Sequence, residues 1–417
     1  MALKEILEPI KIKNIKIENR IVMAPLIMGY STQDGYVTPQ DIAHLARRAK
    51  GGFGLVVTGL VVATKLTIPF VVPRALNLSD DSFIPGLSLV ADGCHAFGAK
   101  VFIQLFVGTG RQGHTAPDGT PPYAPSQVPC VRPSQSPRDP ASRWRVLRDE
   151  SPPPIPREMT IEEILSEEIE YAKACRRAVM AGFDGIEIHG CNGYLLHEFL
   201  SPRSNKRTDL YGGALENRMR FMVEVTERVL EAVKDAVPVG FRISAAEHMP
   251  EGFTIDEVKE VVKKLADLGI AFLHLSDGGG ESPKYLVPDS MEEVEQHLLK
   301  EAKSIKEVLD IPVITPSVHD PFVAERAIKE GETDMISLGR QSLADPDWPN
   351  KVKEGKVDAI NRCKRDNICD VCSRFGYLNM RCTVNPEVGF EQYIPELFPR
   401  RRAGAVMPPG MAKLPQA

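Results

Sequence analysis

The stretch TIEEILSEEIEYAKACRRAVMAGFDGIEIHG, running from Thr160 to Gly190, contains one helix and one strand in succession. Thr160 followed three residues later by Glu163 forms a capping-box pattern, so a helix is expected over 160–181. Beyond Gly182 the apolar period shortens. The segment 185–189, GIEIH, is too short for a globular helix and rich in Ile, so it reads as a buried strand. The same kind of run recurs in both directions, at 21–23, 55–58, 101–105, 239–243, 272–276, 312–315 and 335–338. Helical patterns fill the intervals at 38–50, 81–97, 214–236, 254–268, 291–309, 320–330 and 347–354. Thr38-Pro39 and Asp320-Pro321 mark two of their starts. Eight rounds of strand followed by helix predict an α/β chain with its parallel sheet closed into a (β/α)8 TIM barrel, the doubly wound open sheet being the alternative.

The rest of the chain fits one such barrel with an appendage. Its 417 residues exceed the roughly 150 of an average domain, and 43% hydrophobic with 26% charged residues is the composition of a packed protein. A net charge of −5 gives no field that would draw it to nucleic acid. The longest apolar run, 54–63, is half of the roughly 20 residues that cross a bilayer, so no membrane span is expected. The opening MALKEILEPI lacks the pattern of a signal peptide, which predicts a cytoplasmic protein whose eight cysteines are thiols or ligands. The expected organisation is a barrel over 1–355, a cysteine-bearing segment over 356–395 and a linker or tail over 396–417. Prolines from Pro117 to Pro154 deny a helix to 106–159, which reads as an excursion over the barrel mouth. Its Arg132, Arg138, Arg143, Arg145 and Arg148 suit the phosphates of a large substrate, or simply a solvated face.

Working residues of a TIM barrel stand at the C-terminal ends of its strands. Here those positions hold Pro25, Gly59, Gln104, His189 with Asn192 and Tyr194, Arg242, Ser276, Ser317, and Gly339 with Arg340. Two donors, His189 and Asn192, suit a carbonyl oxygen that gains negative charge, and the Tyr194 phenol can supply a proton to carbon. Taken singly, each would read as a satisfied core residue.

The run HGCNGYLLHEFLSPRSNKRTDLYGGALENRMRF, from His189 to Phe221, resembles the signature of the Old Yellow Enzyme family of FMN-dependent oxidoreductases. The likeness extends through NRIVMAPL near Asn19, ARRAKGGFGLVVTG, AGFDGIEIH and TDMISLGRQSLADPDWPNKV. The resemblance implies FMN across the barrel mouth, with Pro25, Leu26 and Gly59 lining the isoalloxazine. Gln104 would bond its pyrimidine edge and Arg242 would sit near N1 and O2. Ser317, Gly339 and Arg340 would take the phosphate. His189 and Asn192 would hold a substrate carbonyl, Tyr194 would be the proton donor, and hydride would pass from flavin N5 to the β-carbon of an activated alkene. Two departures stand out: Thr315-Pro316-Ser317-Val318-His319 replaces a glycine pair, and QLFVGTGR replaces the shorter QLxHxGR. The same loop satisfies GxGxxG over 108–113, but the prolines that follow deny it the helix of a dinucleotide fingerprint.

Cys363, Cys369, Cys372 and Cys382 are spaced C-x5-C-x2-C-x9-C, a set of four thiolates that suits zinc or an iron–sulfur cluster. RCTVNPEVGFE, from Arg381, resembles the iron–sulfur branch that contains 2,4-dienoyl-CoA reductase and trimethylamine dehydrogenase, which favours [4Fe–4S]. In that branch's spacing the second ligand falls on Asp366, so either Cys372 or Asp366 completes the set. The other four cysteines, Cys94, Cys130, Cys175 and Cys191, read as structural. The expectation is therefore an ene-reductase acting on an enoyl or dienoyl thioester such as a CoA ester. It would be an oligomer and draw electrons through the cluster from an external flavoprotein subunit or ferredoxin-like carrier. The alternatives are an amine dehydrogenase, a non-catalytic electron-transfer subunit and a zinc-bearing scaffold.

Overall fold

A computed structural model describes residues 3–71, 74–131, 153–374 and 379–398. Eight parallel strands form the centre: β1 (Ile21–Met23), β2 (Leu55–Val57), β3 (Lys100–Phe106), β4 (Gly185–Gly190), β5 (Val239–Ser244), β6 (Phe272–Ser276), β7 (Val313–Pro316) and β8 (Met335–Leu338). Each pairs with its successor, and β8 pairs with β1, Ile336 opposite Ile21, so the sheet is closed and the open alternative is excluded. Around it run α1 (Pro39–Lys50), α2 (Ile84–His95), α3 (Ile161–Met180), α4 (Arg220–Val233), α5 (Ile255–Leu268), α6 (Leu299–Lys306), α7 (Pro321–Lys329) and α8 (Trp348–Lys353). Thr38, Thr160 and Thr254 close reciprocal capping boxes with Asp41, Glu163 and Glu257, which satisfies the first free amides of α1, α3 and α5.

Three helices are less regular than their sequence pattern. The run over 81–97 opens as a 3-10 turn, Asp81–Phe83. The run over 214–236 breaks at Met219, separating Leu215–Arg218 from α4. In 291–309, residues Val294–Leu298 wind as a π-helix ahead of α6.

Period-two alternation along the strands builds the barrel interior in layers. The lowest layer is apolar: Val22, Leu55, Phe102, Phe272, Ile314 and Met335 pack together with Ile12 and Ile17 of an antiparallel hairpin, Ile10–Ile12 with Ile15–Ile17. Gly185 and Gly240 leave room there for two rings. A Cβ on either would meet Phe102 at 2.6 Å or Phe272 at 2.3 Å. Two residues further up, the inner positions turn polar with Gln104, Glu187, Arg242, His274 and Ser337, and above them stand His189, Ser244 and Ser276.

Outside the barrel, the described part of 106–159 holds a 3-10 turn at Gly110–Gln112 and a short parallel pair, Tyr123–Ala124 with Arg157–Glu158. The five arginines of that loop lie outside the described residues. The cysteine-bearing segment contributes a short helix, α9 (Ile368–Arg374). Beyond it the chain docks on α1 through Glu391, which accepts from Arg48 Nη1 (2.6 Å) and Gln40 Nε2 (2.6 Å) and bonds His44 Nδ1 (2.9 Å) in full burial. Leu397 is also buried, so packing continues past residue 395, where the tail was expected to begin.

Candidate active site at the barrel mouth

A cavity of about 350 Å3 opens at the C-terminal ends of the strands. Pro25 and Leu26 enter it after β1, Gln104 and Phe106 from β3, and His189, Asn192 and Tyr194 from the exit of β4. Arg242 comes from β5, Ser276 and Asp277 from the end of β6, Ser317 from beyond β7, and Gly339 with Arg340 from beyond β8. All but one of the residues expected to bind flavin or substrate therefore share one space. Gly59 is the exception: it lies behind the wall, where a Cβ would stand 1.9 Å from the Leu26 carbonyl oxygen. Its missing side chain lets the β1 loop settle, and the lining there is left to Leu26.

The exit of β4 is rigidly held. Asn192 has φ +63°, in the left-handed region that Asn tolerates, and its N–H donates to Ser244 Oγ at 3.2 Å. Ser276 Oγ donates to Asn192 Oδ1 at 2.7 Å, so the amide NH2 is the end left to meet a ligand. Gln112 Nε2 ties the turn to the β3 loop by donating to the carbonyls of Asn192 (2.9 Å) and Gly193 (2.7 Å). The rings of Phe106, His189 and Tyr194 meet edge to face, with centroids 5.0 to 5.6 Å apart. Burial, reinforced by the Arg242 charge, lowers the His189 pKa to about 3, so the imidazole is neutral and keeps one N–H to donate. Its Nδ1 is buried without a hydrogen-bond partner.

Below this lies the polar layer. Gln104 Nε2 donates to Glu187 Oε1 at 2.6 Å, His274 Nδ1 bonds Glu187 Oε2 at 2.7 Å, and His274 Nε2 meets Ser337 Oγ at 2.8 Å. Burial opposes the Glu187 charge, yet His274 and Arg242 outweigh it and hold the carboxyl below its usual range. Arg242 Nε is buried with no partner. Sequence reasoning missed Glu187 and His274, because both sit inside strands that read as apolar runs. A charged residue at an inward period-two position was the available signal.

On the far side, Ser317 adopts φ +66° where a glycine is usual, and its N–H is already given to Ser337 O (3.0 Å). Arg340 donates to Asn367 Oδ1 (2.8 Å) and Pro288 O (3.1 Å), both neutral acceptors, so its charge stays available to an anion. His319, Asn367, Cys369 and Asp370 also line the cavity and were not anticipated as part of it. The cysteine segment thus reaches the mouth of the barrel. Behind the wall formed by Asp277 and Tyr285, His248 bonds Asp277 Oδ1 (2.7 Å), faces Glu301 Oε1 (3.3 Å) and stacks on Tyr285, 3.8 Å between centroids. Burial works against its protonation, but the two carboxylates raise its pKa to about 9.

The orphaned Arg242 Nε at this mouth is a donor that the N1 and O2 end of an isoalloxazine ring would satisfy. A family model described as NADH:flavin oxidoreductase / NADH oxidase matches residues 5–359. The chain belongs to this family. A relative, the NADH oxidase of Thermoanaerobacter brockii, is 40% identical over 399 residues, which is 93% of this chain and 56% of that protein. Among solved structures, a complex of 2-naphthoyl-CoA reductase with 2-naphthoyl-CoA superposes with TM-score 0.83 at 30% identity, covering 94% of this chain and 58% of that one. Histamine dehydrogenase from Rhizobium sp. 4-9 superposes with TM-score 0.77 at 29% identity, covering 93% and 53%. The chain thus spans little more than half the length of each of these three relatives. Among its described residues no helix is long and apolar enough to cross a membrane.

Proposed function

We propose that this barrel is an ene-reductase for α,β-unsaturated carbonyl compounds, CoA thioesters foremost, with FMN at the mouth and a [4Fe–4S] cluster on the cysteine segment. The observation that carries it is the convergence of neutral His189, the Asn192 amide and Tyr194 on the cavity that Gln104 and Arg242 also line. A bound FMN would supply the hydride for the substrate β-carbon, and a cluster on the cysteine segment would supply single electrons to restore it. His189 and Asn192 donate to the substrate carbonyl and stabilise the negative charge that grows there. Tyr194 gives its proton to the α-carbon. Arg242 offers a buried cation for the flavin's N1 and O2 end, Pro25 and Leu26 a wall for its ring, and Ser317, Gly339 and Arg340 a place for its phosphate. A CoA ester is the favoured substrate class because the related 2-naphthoyl-CoA reductase holds one.

For the cluster we assign Cys363, Cys369, Cys372 and Cys382. Asp366 is occupied otherwise: its Oδ1 accepts from Ile368 N (3.3 Å) and its Oδ2 from Thr383 Oγ1 (2.6 Å). A single zinc ion, with Zn–S near 2.3 Å, would draw its thiolates within about 4 Å of one another. The larger inorganic core, whose thiolates stand farther apart, is favoured by the resemblance of RCTVNPEVGFE, from Arg381, to the iron–sulfur branch.

The test is an anaerobic spectrum of the purified protein, followed by mixing the dithionite-reduced form with enoyl-CoA esters. Flavin reoxidation matched by loss of the alkene supports the reading. The likeness to histamine dehydrogenase makes amine oxidation the second reading, and reduction of the oxidised protein by histamine, with enoyl esters inert, would establish that instead.

A further inference from the structure

Glu187 is a fully buried carboxylate that none of the roles above uses. Each of its oxygens has a partner on a different strand: Gln104 of β3 at 2.6 Å on one, His274 of β6 at 2.7 Å on the other. Ser337 of β8 holds the far side of that imidazole at 2.8 Å. Four inward-facing side chains of one barrel layer thus form a single chain of hydrogen bonds, and its Gln104 end reaches the cavity.

Two consequences follow from elementary chemistry. A carboxylate only accepts, so the Gln104 amide must turn its NH2 toward Glu187 and its carbonyl oxygen to the remaining side. The orientation of an amide, ordinarily ambiguous, is fixed here by its neighbour. Second, Arg242 lines the same cavity, its Nε has no hydrogen-bond partner, and it stands one inward step above Gly240, the register partner of Glu187 on the neighbouring strand, so the Glu187 charge acts on it at close range. In a medium of low dielectric such a fixed negative charge offsets much of the attraction that Arg242 exerts on a reduced, anionic ring.

We propose that Glu187 is a positioning residue of the flavin site: it aims the Gln104 carbonyl into the cavity and holds the reduction potential of the bound flavin below the value that Arg242 alone would set. This rests on the FMN reading above and adds to it the group that tunes the cofactor. A lower potential makes the reduced flavin the stronger hydride donor.

The experiment uses holoprotein. FMN content is measured first, because a protein that takes up no FMN refutes the parent reading and not this one. Anaerobic dye equilibration then compares wild type with Glu187→Gln. The expected result is a rise in the two-electron midpoint potential of at least 30 mV, equivalent to a tenfold change in equilibrium constant, with sulfite affinity tightened to match. An unchanged potential overturns the proposal. His274→Asn, which removes the other partner of Glu187 and leaves the cavity lining intact, is expected to shift the potential in the same direction by less. Combined with Glu187→Gln it should add nothing, whereas simple additivity would argue for a merely structural role. A third arm needs no substitution: 3-methyl-FMN, whose N3 cannot donate to an inward-facing carbonyl, should bind wild-type apoprotein at least tenfold more weakly than FMN. Equal affinity would refute the assigned Gln104 orientation.

Discussion

Two histidines, His189 lining the mouth and His248 behind its wall against Asp277 and Tyr285, carry opposite protonation behaviour, and their neighbours explain both. His189 is buried beside the Arg242 guanidinium and titrates near 3, while His248 faces two carboxylates and titrates near 9. An unfolded histidine titrates near 6.5. As pH falls below that value the unfolded chain takes up a proton that folded His189 refuses, so its contribution to stability is complete above 6.5 and lost toward 3. For His248 the sign reverses: its contribution is complete below 6.5 and lost as pH rises through 9. Thermal melts across pH 4 to 10 should therefore fall on both flanks, and His248→Gln should flatten the alkaline one alone. At the same scale, Tyr194→Phe should slow alkene reduction by about 10² to 10⁴, the usual worth of a positioned proton donor. Stopped-flow flavin reoxidation measures it. An undiminished rate would remove Tyr194 from the chemistry.

At the scale of elements, glycines decide whether the strands can close around their own contents. Gly240 faces the Phe272 ring so closely that an added Cβ would stand 2.3 Å away. Gly240→Ala should cost about 1–3 kcal/mol by overpacking, read from chemical denaturation at constant m-value. Helix ends offer a milder case. Thr160 caps α3 reciprocally with Glu163, and Thr160→Ala should cost about 1 kcal/mol without changing flavin binding. Both substitutions lie away from the mouth and separate stability from chemistry.

For the molecule as a whole, the question is what holds the cysteine segment to the barrel. Glu391 lies beyond the last of the four thiols, Cys382, and is clamped in full burial by Arg48, His44 and Gln40 of α1. Removing one member of a buried ion pair strands the other, so Glu391→Ala should cost about 3–5 kcal/mol. If that clamp also presents the thiols, iron content per chain should fall in step with Tm. Iron retained at full stoichiometry would show that the segment is held elsewhere.

Much of this was legible before any coordinates. The eight strand positions, the helix starts at Thr38 and Asp320 and the capping box at Thr160 follow from local pattern, and ten of the eleven residues that the pattern and the family resemblance placed at the mouth do line its cavity. Periodicity and capping act within one turn or one strand, so a linear chain displays them directly. What the tertiary structure alone decided is which side chains share the interior. Closure of β8 onto β1 stacks Gln104, Glu187, His274 and Ser337 into one hydrogen-bonded layer, although they are drawn from four strands and span more than two hundred residues. It also sets Gly59 behind Leu26 and brings Cys369 to the mouth. Contacts of that kind depend on register and on the hand of the barrel, which only the assembled sheet fixes, because each strand taken alone is indifferent to what stands opposite it.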